Sequence, residues 1–157
     1  MGKHDAVMIH GDKREQALAE IEEQVRRWGL TLPDVEPLPL DFGLGRFREI
    51  GETEYWIANE TEHGYCGKLL FLFGGQTCPC HEHRVKHETF FILRGTIAMV
   101  TADEEIMMRQ GDTLVMPPGT RHEFTAVGPA LVLEVSMPSI VGDSYFEDTR
   151  IGDNGVI

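Results

Sequence analysis

The spacing of apolar residues predicts one amphipathic helix near the start of the chain. Four of them recur at the helical interval of three or four residues: Leu18, Ile21, Val25 and Trp28. Asp12 followed by Glu15 resembles a capping box, and Gly29 is a typical helix stop. We therefore predict a helix over residues 13–28, followed by an extended connector over residues 33–39 that contains three prolines.

From about residue 47 the pattern changes to short apolar runs separated by Gly, Pro and Asp turns, which is typical of strands. The nine predicted strands cover residues 54–59, 67–73, 78–84, 88–93, 96–101, 105–109, 113–116, 121–126 and 130–136. Their close succession favours antiparallel pairing, and so many short strands indicate a sandwich or a small jelly-roll barrel. We expect one domain, in which residues 1–40 supply the helix and a connector that packs on a barrel formed by residues 41–157.

Charge and composition narrow the choice of partners. The chain has 157 residues, with 14 basic and 26 acidic side chains and a formal charge of −12. This excess of negative charge argues against nucleic acid or an anionic membrane as a binding partner, because both bind positively charged protein surfaces. No apolar run reaches the ~18 residues of a membrane span. Three cysteines, an odd number, together with the lack of a signal-peptide pattern, predict a cytoplasmic location.

Histidines and one glutamate form a metal-binding pattern. His81 and His83 alternate on a predicted strand, so their side chains share one face. Glu88 follows after a predicted turn over residues 84–87, and His122 comes after the Pro117-Pro118-Gly119 turn. Three imidazoles and one carboxylate can hold a divalent ion and leave positions open for a substrate.

Four protein ligands with open positions favour octahedral Mn or Fe, although Co, Ni and Zn also accept this donor set. His87 has the parity of an outward-facing residue, and we leave it out of the ligand set. Cys78 and Cys80 lie beside His81 and could in principle bind metal. Cys80 has the opposite strand parity to His81 and His83, so we expect these thiols to be small buried side chains instead.

Two further charged residues are predicted to face the barrel interior. Glu134 lies in an otherwise apolar strand, on the face opposite Leu131 and Leu133. If the leucines pack outside, Glu134 points inward, where it could act as a catalytic base. Lys86 shares the parity of Glu88 and could polarise a substrate oxygen or transfer a proton. The alternatives are an ion-pairing role for Glu134 and a solvated turn lysine for Lys86.

The two histidine blocks resemble the cupin signature. The first block runs from Gly75 to Gly95 and the second from Gly111 to His122. This resemblance implies a double-stranded β-helix, a jelly-roll barrel that is often dimeric. Cupins include isomerases, dioxygenases, decarboxylases and binding proteins, so this fold alone does not define a function.

A narrower resemblance is to the D-lyxose ketol-isomerase family. It rests on five segments and the tail around Asp143 to Ile151; the segments are residues 41–45, 65–68, 75–79, 86–90 and 134–136. The resemblance implies a Mn-type ion and an enzyme that interconverts D-lyxose and D-xylulose, and often D-mannose and D-fructose. It also makes Lys68, Gln76 and Asp143 candidates for binding the sugar, although Lys68 and Asp143 could equally be surface charges.

We therefore predict a metal-dependent isomerase that moves a hydrogen between C1 and C2 of a sugar through an enediol. His81, His83, Glu88 and His122 would hold the ion, with Glu134 and Lys86 as catalytic residues. A cupin Fe(II) dioxygenase and a non-enzymatic sugar-binding cupin remain the alternatives. The expected partners are a small sugar and a second copy of the chain in a homodimer.

Overall fold

A computed structural model describes residues 4–157 of the chain. A short 3-10 helix at Asp5–Val7 precedes one α-helix, α1, at Gly11–Arg27. The eleven strands are β1 Leu38–Leu40, β2 Glu52–Glu60, β3 Tyr65–Leu72, β4 Thr77–His83, β5 Glu88–Arg94, β6 Thr96–Thr101, β7 Glu105–Arg109, β8 Thr113–Met116, β9 His122–Ala126, β10 Ala130–Ser136 and β11 Ser144–Phe146. The predicted mostly-β fold with an N-terminal helix is confirmed.

The strands form two antiparallel sheets. One has six strands in the order β1-β2-β3-β10-β5-β8, and the other has five in the order β11-β4-β9-β6-β7. Apolar side chains from both sheets meet in one core, with Leu70, Phe90 and Val132 from the larger sheet and Met99 and Phe124 from the smaller. Alternate residues of each strand point into this core, which is why the polar residues that share its face are buried.

Helix α1 packs on the outer face of the six-stranded sheet. Ile21 and Val25 of the helix form a second apolar cluster with Tyr55, Phe71 and Leu131 of the sheet. Each fully buried side chain of this kind stabilises the fold by ~1.5–3 kcal/mol. This contact holds a helix that would be marginal on its own. Within residues 4–157, no helix has both the length and the hydrophobicity that a membrane crossing requires.

The predicted capping box at Asp12 is wrong. The helix begins at Gly11, and His10, the N-cap residue, makes no capping bond through its side chain. Asp12 lies inside the first turn, where its negative charge still favours the positive end of the helix dipole. The helix ends at Arg27, and Gly29 follows with φ of 71°.

Two strands were not predicted. β1 lies within the proline-containing connector, and β11 lies in the C-terminal tail. Both have three residues and stand at the end of the strand order of their sheet, where each pairs with one other strand. An edge tolerates Pro39, and three residues are too few for alternation to be recognised. Through β1, the connector pairs with β2 of the larger sheet.

Gly95 makes the tight turn between β5 and β6. Its φ is +82°, and a Cβ atom at this position would lie 2.4 Å from the carbonyl oxygen of Pro129. Any other residue would be strained and would also collide with the neighbouring backbone. The glycine that ends the first histidine block is therefore required by the fold.

Candidate active site

A cavity of about 270 Å³ lies between the two sheets. Most of the predicted site residues line it: Lys68, His81, His83, Lys86, Glu88, Glu134 and Asp143. His122 is buried against His81, with 4.3 Å between the ring centroids. Gln76 is fully buried outside the cavity wall. The volume suits a small metabolite, since pockets for drug-sized ligands begin at ~300 Å³.

The three predicted histidine ligands form one cluster. His81 and His83 lie on β4 with their side chains buried on the same face, as predicted. His122 begins β9 and pairs directly with His81 across the two strands. One nitrogen from each ring lies within 4.8 Å of the others. Two separate parts of the chain therefore bring three imidazoles to one point.

Backbone carbonyls orient all three rings. The Nδ1 bonds run from His81 to Pro79 at 2.8 Å, from His83 to Asp143 at 2.9 Å and from His122 to Thr120 at 3.0 Å. A carbonyl oxygen can only accept, so Nδ1 carries the hydrogen in each ring. In a neutral ring of this tautomer, Nε2 keeps its lone pair, which is the arrangement of metal-ligating histidines.

Glu88 faces these nitrogens from the opposite sheet. Its Oε1 lies 3.3 Å from His83 Nε2, and its Oε2 lies 3.7 Å from His122 Nε2. Glu88 Oε2 and His122 Nε2 are both fully buried without a hydrogen-bond partner among the described residues. Buried acceptors that face one another are unfavourable unless a cation lies between them. The donor geometry of the site therefore fits a bound metal ion.

The charge states also suit a divalent cation. Burial lowers the pKa of His81 and His122, so both rings are neutral and free to donate a lone pair. Burial opposes the ionisation of Glu88, but its hydrogen bonding and the positive charge of Lys86 outweigh burial and hold the pKa of Glu88 well below its usual value. Neutral imidazoles with one ionised carboxylate suit Mn, Fe, Co, Ni or Zn.

The cysteines do not join this cluster. All three are free thiols. Burial raises the pKa of Cys78 well above its usual value, and burial with Glu147 raises that of Cys80 to about 11. Protonated thiols are poor metal ligands. Among residues 4–157, the side chains whose possible ligand atoms all lie within 4.8 Å of one another are His81, His83 and His122, with no cysteine among them, and His87 is exposed.

Glu134 and Lys86 meet inside the cavity, and both side chains are buried. Lys86 Nζ lies 3.0 Å from Glu134 Oε1 and 2.5 Å from Glu88 Oε1. Burial works to lower the pKa of Lys86, but Glu134 and Glu88 outweigh it and raise that pKa above its usual value. Ser136 Oγ donates a second hydrogen bond to Glu134 Oε1 at 3.1 Å. The predicted inward direction of Glu134 and Lys86 is confirmed.

Asp143 holds the turn that carries Lys86. Its carboxylate accepts hydrogen bonds from the backbone N–H groups of Arg84, Val85 and Lys86 at 3.0 Å each. Its backbone carbonyl accepts the bond from His83. Asp143 is buried, so the alternative of a surface charge is wrong. The residue connects the histidine cluster with the loop that positions Lys86.

Lys68 and Gln76 are buried in different surroundings. Lys68 lines the cavity, with Nζ 3.6 Å from Glu54 Oε2, so the alternative of a surface charge is wrong here too. Gln76 accepts a hydrogen bond from the Phe73 N–H at 3.0 Å and donates one to the Phe47 carbonyl at 2.5 Å. Its amide therefore joins two backbone segments.

The cavity residues on β2 include Glu52, Glu54 and Trp56, which were not predicted. They share one strand parity, but glutamates that alternate along a strand usually indicate a solvated face. The signal that could have identified them is Lys68 on the neighbouring strand, which lies directly opposite Trp56. In the tail, Phe146 packs against His81, with 5.0 Å between the ring centroids.

The chain is similar to known proteins over most of its length. The cupin domain family matches residues 70–136. The D-lyxose/D-mannose isomerase of Thermosediminibacter oceani is 31% identical, over 92% of this chain and 96% of that protein. The D-lyxose ketol-isomerase of Cohnella laeviribosi is 29% identical, over 91% of this chain and 94% of that protein.

A solved structure supports the fold. The L-ribose isomerase of Cellulomonas parahominis, determined with L-ribose, superimposes with a TM-score of 0.74 over 96% of this chain and 97% of that one. The two sequences are 18% identical, so this likeness bears on the fold alone. Together, these matches confirm the predicted cupin fold.

Proposed function

The chain belongs to the D-lyxose ketol-isomerase family of cupins, and from that premise we propose that it is a metal-dependent isomerase of D-lyxose and D-xylulose. The same site would accept D-mannose and D-fructose, which differ from the pentoses only in chain length. His81, His83, Glu88 and His122 would hold the ion, for which Mn is our first choice. Three imidazoles and a carboxylate leave positions open for oxygen ligands of the sugar.

One observation carries the proposal. Lys86 contacts Glu88, which faces the histidine cluster, and also contacts Glu134 on the next strand. Glu134, which can accept a proton, is thus separated from the site that would hold the ion only by the side chain of Lys86. An aldose–ketose isomerase needs this combination, because a proton moves between two adjacent carbons while charge develops on their oxygens.

Glu134 is the base in this scheme. Lys86 and Ser136 both donate to Oε1, so Oε2 is the oxygen left to take the proton from C2 of the aldose and return it to C1. In the same conversion the hydroxyl proton on the C2 oxygen moves to the C1 oxygen. Glu134 is buried, which slows the exchange of the transferred proton with bulk water without preventing it. A divalent ion, when bound, would polarise the substrate carbonyl and stabilise negative charge on oxygen.

Lys86 and Asp143 have supporting roles. Because its pKa is raised, Lys86 stays protonated and serves as a hydrogen-bond donor to a sugar oxygen. Asp143 acts as a positioning residue, since its carboxylate is engaged by the turn that carries Lys86. Lys68 remains our candidate for a sugar hydroxyl. Gln76 would act indirectly, by joining the backbone around Phe47 to that around Phe73.

The charged groups in the cavity favour proton transfer over oxygen chemistry. A dioxygenase would be expected to have a largely apolar pocket around its iron. Here the wall includes five carboxyl groups and two ammonium groups: Glu52, Glu54, Glu88, Glu134, Asp143, Lys68 and Lys86. A binding protein without turnover would have no use for a buried acid–base pair.

The test is interconversion by the purified protein. We expect the Mn-loaded protein to convert D-lyxose to D-xylulose and D-xylulose to D-lyxose, reaching the same equilibrium ratio from both sides. The matched control is the same protein after removal of metal by a chelator, which should be inactive until Mn, Fe, Co, Ni or Zn is restored. If folded, metal-loaded protein converts none of the four sugars, the proposal is wrong. Oxygen consumption would point to a dioxygenase.

We also propose that two copies pair through the outer face of the larger sheet. One row across this face consists of Gly67, Val135, Thr89 and Val115 on neighbouring strands, and Ile57 lies next to this row, at the bulge of β2 beside Gly67. Ile57, Val135 and Val115 are 52%, 47% and 53% exposed. The row contains no charge, so a two-fold axis could place it against itself without pairing like charges.

Replacing Val135 by lysine tests this pairing. We expect light scattering to give twice the chain mass of 17.7 kDa for the unaltered protein and the single mass for V135K. A lysine here would bring two like charges together across the two-fold axis, while its side chain reaches solvent in the single chain. Val127→Lys is the matched control, because Val127 is similarly exposed but lies outside the row. A single-chain mass for the unaltered protein would contradict the proposal.

A further inference from the structure

A second polar cluster lies in the cavity beside the proposed catalytic groups. Glu54 Oε2 lies 3.6 Å from Lys68 Nζ and accepts a hydrogen bond from Trp56 Nε1 at 2.5 Å. Lys68 Nζ also lies 4.1 Å from the centroid of the Trp56 ring. Glu52 is two residues before Glu54 and points to the same side. Nothing in the proton transfer described above uses this cluster.

The charges of the cluster nearly cancel. Burial opposes ionisation of Glu54, but Lys68 and Trp56 outweigh it and lower the pKa of Glu54 below its usual value. Lys68 keeps its proton, because the carboxylates around it outweigh its burial and raise its pKa. Burial, and then the charge of Glu54, raises the pKa of Glu52 well above its usual value. The cluster thus holds one carboxylate, one ammonium and one neutral carboxylic acid.

Glu52 has an unmet bonding capacity. The residue is 5% exposed, and its Oε2 is fully buried without a hydrogen-bond partner among the described residues. An unpaired buried oxygen costs free energy that a bound donor would recover. Glu52 lines the cavity, so a ligand there could supply that donor. This points to a ligand and not to a purely structural ion pair.

The cluster is placed to meet one end of a small molecule held at the catalytic groups. Lys68 pairs with Glu134 across β3 and β10, and β2 is the next strand beyond. Trp56 is the β2 residue in line with Lys68 and Glu134, and Glu54 lies two residues further along β2, so its backbone is ~12 Å from that of Glu134. Both side chains point into the cavity, which shortens the gap between their polar ends.

We propose that Glu52, Glu54 and Lys68 form a subsite for the hydroxyl groups at the non-reacting end of the sugar. This inference rests on the proposed isomerase function and specifies its substrate as a sugar with an uncharged polyol end. A hydroxyl group both donates and accepts. The subsite offers a matching set, with the carboxylate as acceptor, the ammonium as donor and the carboxylic acid as either.

The same charges disfavour a phosphate or carboxylate at that end of the substrate. Lys68 is already paired with Glu54, and Lys86 with Glu134 and Glu88. No arginine lines the cavity within the described residues. An anionic end would meet the Glu54 carboxylate without an unpaired cation to offset it. The subsite therefore selects free sugars over sugar phosphates.

Replacing Glu54 by glutamine tests the subsite without relying on turnover. The probe is xylitol, a polyol that has no carbonyl and cannot isomerise, and its binding to the Mn-loaded protein is measured by calorimetry. We expect E54Q to bind xylitol at least ~10-fold more weakly, the loss expected for a hydrogen bond to a charged group. KM for the sugar should rise while kcat changes little, and the Mn content should stay the same. Xylitol 5-phosphate should bind the unaltered protein more weakly than xylitol.

Glu60→Gln is the matched control, because Glu60 lies on the same strand and is exposed. If E54Q fails to fold because Lys68 loses its partner, the double replacement E54Q/K68M removes the pair as a unit and gives the same test. An unchanged xylitol affinity in a folded variant of either kind would overturn the subsite, as would an unaltered protein that binds no xylitol. Weaker xylitol binding without isomerisation of any sugar would leave the subsite standing and refute the proposed function.

Discussion

Replacing His122 by alanine is expected to remove the metal and to lower kcat/KM by at least ~1,000-fold. His122 supplies one of three clustered nitrogens, and its Nε2 is a fully buried acceptor without another partner. The alanine variant loses a ligand that no neighbouring side chain can replace, since the nearby thiols have raised pKa values. Loss of the ion removes the main stabilisation of charge on the substrate oxygens.

Metal content by elemental analysis is the primary measurement for this variant, with activity second. His87→Ala is the matched control, because His87 lies one residue from the proposed ligand Glu88 but is exposed. It should retain both metal and activity. A His122→Ala protein that keeps a full equivalent of Mn would show that the ion is held elsewhere, and the proposed ligand set would be wrong.

The metal cluster could be predicted because strand parity depends on the local sequence. His81 and His83 alternate on a strand, and the turn that follows lets Glu88 face the same cavity. The pairing of His122 with His81 depends on how β9 lies against β4. The spacing of the histidines along the sequence does not define that arrangement. The family resemblance supplied that step. The Nδ1 bonds to backbone carbonyls were not predictable, because they depend on the exact path of the neighbouring turns.

The second polar cluster, formed by Glu52, Glu54 and Lys68, could not be predicted from the sequence. Glutamates at alternate positions usually face water, so the sequence of β2 gives no reason to bury Glu52 and Glu54. Burial becomes favourable only when Lys68 and Trp56 lie beside them, and this requires the register of β2 against β3. That register contains a bulge between Trp56 and Ala58, which a regular alternation does not reveal. Side chains that depend on one another across strands are the hardest to assign from sequence.

Replacing Glu134 by glutamine is expected to lower kcat by ~100- to 10,000-fold, the range for removal of a general base. Glutamine has nearly the same shape and keeps an oxygen that can accept from Lys86 and Ser136, so the fold should be retained. Lys86 also keeps its contact with Glu88, and no buried charge is left unpaired. Metal content and KM should therefore change little, which separates loss of the base from loss of the site.

Isomerisation in deuterated water adds an independent measurement. If Glu134 carries the proton between carbons, some solvent deuterium should enter the product of the unaltered protein, and the rate of this exchange should fall with kcat in E134Q. Ser136→Ala is the matched control, because it removes only the second hydrogen bond to Oε1 and should reduce kcat far less. Unchanged turnover in E134Q, or a product free of deuterium at all stages, would remove Glu134 from the role of base. The latter result would favour a hydride shift between C1 and C2.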